Sequence, residues 1–382
     1  MINEFQMPTK VVSGAGCARE IVKEAKLLNS RKVLVITDPG VSKTGLSAGV
    51  ADYLRAGELE VGFFEEVESD PSIGTAARAA EAAKAMQADV VVAIGGGSSI
   101  DAGKSAALLV TNGGHLKDYA GVGKVRTPTL PLIAVPTTAG TGSEVTVFAV
   151  MSDPANNEKF TISSPLIAPR VAILDPEVTV KLPPSITAFT GMDALTHAVE
   201  AYGSALAQPA TDALAIHAMK IIFDNLPIAV FRPDNINARQ SMMQGALLAG
   251  VAFNNAYLGL AHAIASPLGG HFHVPHGLAN AVMLPHVMEF NLPAAVGRYA
   301  EIAKALGLGG PNDHPRALAD KAVSAITALA RDIGIPKRLK DVGAREDYLP
   351  LVAHDALKSI QLKFNPRIAT EQEILGVLQK AF

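Results

Sequence analysis

Apolar runs in the first half of the chain are short, continuous and separated by helical stretches. KVLVITD (residues 32–38), EVGFFEEV (60–67), DVVVAIGGG (89–97), PLIAVPTT (131–138) and VAILD (171–175) read as strands. Residues 46–55, the alanine-rich 73–87 and 99–110 read as helices between them. Strand, helix, strand at this spacing predicts a parallel sheet with helices on both faces. Strands that are apolar throughout, rather than alternating, predict burial on both sides. VTVFAVMSD and KFTISSP, joined by PANNE, predict a β-hairpin laid on this domain. After LPPS (182–185) no convincing strand follows. Helices are expected near 185–202, 211–225, 238–254, 258–267, 277–290, 294–306, 315–332 and 371–380. The expected organisation is an α/β domain over residues 1–182 and an all-α domain over residues 183–382.

One stretch breaks the usual mixture of charge and apolar residues. Residues 240–288 contain no Asp, Glu, Lys or Arg, yet hold His262, His271, His273, His276 and His286. A run this long without charge is mostly buried, and buried imidazoles need partners. Asn254, Asn255, Pro267 and Pro275 interrupt it, so it offers no clean membrane-spanning segment. Upstream, Asp193 and His197 lie four apart on a predicted helix and share a face. Glu200 and Thr196 are near in sequence but are expected to project differently. With histidines from the charge-free run, this pair could complete a metal site. Spacing alone does not choose among the histidines, and HxHxxH (His271, His273, His276) is a rival local cluster.

Two loops follow strands in the first domain. GGGSSIDAGK (95–104) sits where a strand ends and a helix begins, so its glycines allow close backbone approach and the helix N-terminus favours phosphate. This points to a Rossmann-like, dinucleotide-binding domain, with Asp101 one turn into the helix. PTTAGTGSEV (136–145) suits a loop around a diphosphate or ribose. Asp38, at the end of its strand, stands where an acid accepts hydrogen bonds from the adenosine ribose and repels a 2′-phosphate, favouring NAD over NADP.

Composition narrows the function further. The 382 residues are 49% hydrophobic and 18% charged, enough for a large core. A net charge of −3 gives no bulk attraction for nucleic acid or an acidic membrane. The single cysteine, Cys17, excludes an internal disulfide and a cysteine metal cluster. The N-terminus does not read as a signal peptide. A cytoplasmic protein without nucleic-acid or membrane partners is expected.

GGGSSIDAGK, PTTAGTGSEV, GMDALTHAVEAY and AHAIASPLGGHFHVPHG occur in this order across essentially the whole chain. In this combination the sequence closely resembles the iron-containing (group III) alcohol dehydrogenases, a family that includes lactaldehyde reductase and 1,3-propanediol dehydrogenase. The resemblance implies a dehydroquinate synthase-like fold and an NAD(H) alcohol dehydrogenase or aldehyde reductase acting on a small primary alcohol or aldehyde. A divalent metal, Fe(II) or alternatively Zn(II), would polarise the substrate oxygen as hydride passes to or from the nicotinamide. By resemblance, Asp193, His197, His262 and His276 are the metal ligands. Asp38, Gly96, Gly97, Ser98, Thr137, Thr138, Thr141, Thr146 and Lys159 are the cofactor contacts. Asp70 stands where many members carry Asn near the adenosine pocket. Ser266 replaces a histidine that many members carry near the nicotinamide, so either its hydroxyl relays a proton, or His271 or His273 substitutes, or no relay is needed. A homo-oligomer, usually a dimer, is also implied. Phe148, Phe253 and Leu258 are candidate pocket walls. The alternatives are a metal- and NAD-using lyase of dehydroquinate synthase type, disfavoured by the lack of Lys or Arg in residues 240–288, and a nucleotide-binding module without chemistry.

Overall fold

The computed structural model describes residues 4–156, 158–310 and 312–382. Two compact units divide the chain: Met7–Lys181, and Leu182–Phe382 together with the segment through Gln6.

In the first unit, β1 (Lys10–Ser13), β2 (Lys32–Thr37), β3 (Glu60–Phe64), β4 (Val90–Gly95), β6 (Leu132–Pro136) and β9 (Val171–Leu174) form one sheet in the order β1-β9-β6-β4-β2-β3. Every pairing in it is parallel. The continuous apolar runs are explained by two cores, one on each face. Leu34, Ile36, Val91 and Ala93 pack with alanines of α4 (Ile73–Ala85) and α5 (Gly97–Asn112). Val33, Val35, Val90, Val92 and Ile94 pack with Ile21 of α1 (Ile21–Leu27) and with Val50 and Leu54 of α3 (Leu46–Ala56). Alternate side chains of each strand thus enter opposite cores. The expected hairpin is present as antiparallel β7 (Phe148–Asp153) and β8 (Glu158–Ser163), with the short β5 (Gly121–Val122) completing a small sheet. Strand β1 was not expected from the sequence.

Chain order reverses in the middle of the main sheet. From β2 the chain passes to β3 on one side, then returns to lay β4, β6 and β9 on the other. The switch point therefore lies between β2 and β4, where open α/β sheets place ligands beyond the carboxyl ends of the strands.

The second unit is helical: α6 (Pro184–Gly203), α7 (Pro209–Phe231), α8 (Ile236–Ala256), α9 (Leu260–Phe272), α10 (His276–Ala305), α11 (Pro315–Asp332), α12 (Leu349–Leu357) and α13 (Glu371–Ala381). Helix α6 is buried without interruption from Gly191 to Gly203, and it packs against α7, α8 and α10. Two helices, as expected over 277–290 and 294–306, follow each other within α10 and are divided by a kink at Ala295, which leaves helical geometry two residues after Pro293. By length and composition α7 could cross a membrane. It nevertheless packs against α6 and α8, and its Asp212 forms a two-pronged ion pair with Arg298 of α10 at 2.7 and 2.8 Å.

Candidate active site

Metal-ligating chemistry gathers where three helices of the second unit meet. Asp193 and His197 project from the middle of α6, His262 from the first turn of α9, and His276 from the first residue of α10. Gly277 permits the approach of α10, because a Cβ there would lie 2.8 Å from the Phe189 carbonyl oxygen of α6. Among the described residues, single acceptor atoms of Asp193, His262 and His276 converge within 4.8 Å of one another. The Asp193 Oδ1 to Nε2 separations are 3.8 Å for His262 and 3.9 Å for His276. Bonds of about 2.0–2.2 Å from one divalent ion can span such pairs. The His197 ring stacks on both Phe253 and His262, with centroids 4.5 and 4.6 Å apart, so it borders this point without being among the three converging groups.

The Asn280 side chain, one turn along α10 from His276, shows how strongly these lone pairs converge. Its Nδ2 donates to Asp193 Oδ1 at 2.7 Å and lies 3.0 Å from His262 Nε2 and 3.2 Å from His276 Nε2. An amide NH₂ has two protons and cannot satisfy three acceptors. Its Oδ1 is buried without a hydrogen-bond partner among the described residues. One carboxylate and imidazole nitrogens aimed at a common point are a donor set suited to a divalent first-row cation. Burial opposes the charge on Asp193, but the imidazoles of His197, His276 and His262 and the Asn280 amide outweigh it and hold the carboxyl below the usual range.

The other histidines of the charge-free run lie elsewhere. His271 Nε2 pairs with Asp355 Oδ2 of α12 at 2.8 Å. Nine residues beyond His262, it falls on about the opposite side of α9, so it does not supply the ring missing at Ser266. His273 caps α9 in left-handed geometry and is exposed. The rival cluster of His271, His273 and His276 does not assemble among the described residues. Burial lowers the pKa of His286, which stands apart on α10. Ser266 is exposed, one turn beyond His262.

Sequence reasoning missed Asn280 and misplaced Glu200. Seven residues after Asp193 is almost two full helical turns, so Glu200 returns to the same stripe of α6. It is buried, and its Oε2 lies 2.6 Å from His262 Nδ1. The i,i+7 spacing was the available signal.

In the first unit, Asp38, Gly96, Gly97, Ser98, Thr137, Thr138 and Thr141 of the expected cofactor residues follow the carboxyl ends of three adjacent strands, β2, β4 and β6. Asp38 follows β2. Its Oδ1 caps α2 (Pro39–Lys43) by accepting from Val41 N at 2.9 Å, and its Oδ2 accepts from Ser99 Oγ at 3.2 Å. Asp38 thus both caps α2 and reaches the first turn of α5. Gly95 ends β4 at φ +153, a left-handed conformation that side chains rarely adopt. Gly96 leaves the N-terminus of α5 without a side-chain cap, next to Gly97 and Ser98. A Cβ on Gly97 would lie 2.9 Å from Thr141 Cγ2, so the two loops meet here. Thr137 N donates to Gly95 O at 3.0 Å, and Thr138 and Thr141 follow on the same loop.

Two expected contacts have other commitments. Asp101 accepts from Ser143 Oγ at 2.5 Å and Val150 N at 2.9 Å, which ties α5 to the second loop and β7. Thr146 is buried, and its carbonyl oxygen and Oγ1 both accept from the Lys104 ammonium, at 3.1 and 3.3 Å. Lys159 Nζ pairs with Asp70 Oδ1 at 2.7 Å, and Asp70 itself has a left-handed φ of 55. The carboxylate at Asp70 thus brings a charge pair to a position where the resembled family commonly carries a neutral amide.

Comparison with known proteins identifies the family. Residues 8–176 match the iron-containing alcohol dehydrogenase family, and residues 187–382 match the C-terminal region of the Fe-containing alcohol dehydrogenase family. The NAD-dependent methanol dehydrogenase of Bacillus methanolicus is 41% identical over 381 residues, covering 100% of both chains. The 1,3-propanediol dehydrogenase of Klebsiella pneumoniae is 41% identical over 99% of this chain and 98% of its own. A crystal structure of 1,3-propanediol oxidoreductase superposes with a TM-score of 0.98 at 41% identity, covering 100% of both chains. The chain belongs to the iron-containing alcohol dehydrogenase family and is an NAD-dependent alcohol dehydrogenase.

Proposed function

We propose that Asp193, His197, His262 and His276 hold one divalent ion, Fe(II) by family, and that the protein interconverts short primary alcohols and their aldehydes with NAD(H). The carrying observation is the convergence of Asp193, His262 and His276 acceptor atoms on one point, with the His197 ring alongside. Bound there, a divalent ion supplies Lewis acidity to the substrate oxygen. The chain's own contribution is to fix and dry the site. Asp193 offsets part of the cation's charge, Asn280 orients the Asp193 carboxylate, and the Phe253 ring on His197 gives an apolar wall suited to a small substrate. Ser266 offers a hydroxyl one turn from His262, and a hydroxyl does not titrate near neutrality as imidazole does.

On the same reading, the 1–182 domain binds NAD through Asp38, Asp70, Gly96, Gly97, Ser98, Asp101, Thr137, Thr138, Thr141, Thr146 and Lys159, while the 183–382 domain carries the metal. Asp101 and Thr146 serve mainly by holding the loops in shape. Two named relatives act on methanol and 1,3-propanediol, both short primary alcohols, which supports the substrate class. Those relatives are dehydrogenases, and the lyase alternative gains no support from them. We also take the protein to be a cytoplasmic homodimer, on the strength of its single cysteine and the family resemblance. Sedimentation at several concentrations tests the dimer. The function itself is tested by a panel of short alcohols and aldehydes with NAD or NADH, run on protein reconstituted separately with Fe(II) and with Zn(II). Turnover confined to phosphorylated acids would overturn the reading.

Cofactor choice gives a separate expectation. Asp38→Gly removes the carboxylate that would repel a 2′-phosphate. The variant should therefore gain in kcat/KM for NADPH relative to NADH by about tenfold or more, a charge effect of about 1.4 kcal/mol. A wild-type enzyme that uses NADPH as well as NADH would defeat this role for Asp38.

A further inference from the structure

Glu200 has a role that neither the motifs nor the relatives' names assign. Its carboxylate is buried between α6 and α9. Oε1 accepts from Ala261 N at 2.6 Å, and Oε2 accepts from Gly259 N at 3.0 Å while lying 2.6 Å from His262 Nδ1. Helix α9 has no side-chain cap from its own N-cap residue, Gly259, so Glu200 caps it from outside the helix. Two of the three groups around the carboxylate are backbone N–H donors. A carboxylate has only acceptors to offer the third, so His262 Nδ1 must be the protonated nitrogen. That leaves the lone pair on Nε2, the atom 3.0 Å from Asn280 Nδ2 and 3.8 Å from Asp193 Oδ1.

We infer that Glu200 is a positioning residue for the metal site, holding His262 in the Nδ1–H tautomer with Nε2 aimed at the point where Asp193 and His276 converge. This rests on the proposed metal site and adds to it the residue that prepares one ligand. Partners of this kind orient a ligating imidazole and raise its basicity. The fold explains why the residue is an acid rather than an amide. Glutamine in this place would have one acceptor oxygen and one NH₂ for three donors. Either its NH₂ would face a backbone N–H, or it would donate to Nδ1 and drive the ring proton onto Nε2.

The test is Co(II) binding to metal-stripped Glu200→Gln, followed by visible absorption under chelator competition, with NADH binding measured alongside. Losing a carboxylate that holds a ligating imidazole costs about 10–100-fold in metal affinity, and that loss is expected here with NADH affinity unchanged. Equal Co(II) affinity in wild type and variant overturns the inference. A wild-type protein that takes up no Co(II) instead overturns the metal-site reading beneath it. Should the glutamine variant fail to fold, nitrogen-15 NMR of the His262 ring in metal-free, wild-type protein decides the matter. A proton on Nδ1 supports the inference, and a proton on Nε2 overturns it, whatever Glu200 contributes to stability.

Discussion

Asp193→Ala is expected to yield folded protein that binds NADH normally, retains no metal and has lost turnover by about 10³-fold or more. The magnitude follows from the several kcal/mol that Lewis-acid stabilisation supplies at a polarised oxygen, with a factor of ten for each 1.4 kcal/mol. Asp193 is the only carboxylate among the three converging groups, so its loss removes the one anionic ligand. It is also buried and hydrogen-bonded to Asn280, so part of the effect could pass through the fold. His276→Ala separates the two causes. The His276 side chain is 41% exposed at the first residue of α10, and its removal leaves no core cavity. The same loss of metal and turnover, with unfolding close to wild type, is expected from His276→Ala. Metal content by elemental analysis, NADH fluorescence titration and thermal unfolding are the measurements. Full activity in metal-free preparations of either variant would refute the site.

The sequence made the strands of the main sheet legible for a reason visible in the cores. Residues buried on both faces leave no polar alternation, so 32–37 and 90–95 stand out as apolar blocks. Strand β1 escaped because only Val11 and Val12 are apolar within its four residues, and its pairing with β9 is made across more than 150 residues of chain. Such pairing has no local signature. The break expected between 290 and 294 is present as a kink at Ala295, where Pro293 interrupts the helical hydrogen bonding while Leu292, Ala295 and Tyr299 stay buried.

At the proposed metal site, Asp193 and His197 were recognisable as a pair because a helix sets their spacing. Choosing His262 and His276 over their neighbours needed a resemblance, since 69 residues separate Asp193 from His262 and nothing local fixes which imidazole returns. Asn280 and Glu200 were invisible for a related reason. Asp193 and His262, which they meet, lie on other helices, and an amide or acid on a predicted helix reads as an ordinary polar residue until the packing is known. Asp101 and Thr146 show the converse. Their motifs suggest ligand contact, yet their polar atoms hold the loops together.

Those loops depend on Lys104, and Lys104→Met is expected to destabilise the α/β unit by about 3–5 kcal/mol, the usual cost of removing one partner from a buried charge cluster. The Lys104 side chain is fully buried. Its ammonium lies 2.9 Å from Ser143 Oγ and 2.5 Å from Phe148 O, besides the two Thr146 oxygens, so one cation joins α5 to the whole stretch from Ser143 to Phe148. Burial pushes the lysine down to about 8, against the pull of Asp101 and Glu144. Burial likewise pushes Glu144 up to about 7. Methionine fills a similar volume but leaves the buried Glu144 carboxyl and the half-buried Asp101 carboxyl without a cation. The sign of the pH dependence follows. Glu144 has its folded pKa above the ordinary 4.5, so stability is lost as pH rises from there through about 7. Without Lys104 that loss deepens, so the variant's deficit should widen above pH 7 and narrow toward pH 4.5. Thermal unfolding across this range measures it, and NADH affinity should fall about tenfold or more as the second loop loosens. A Lys104→Met protein within about 1 kcal/mol of wild type at pH 8 would show that the carboxyls are neutral or hydrated, and that the cation is not what holds the two loops together.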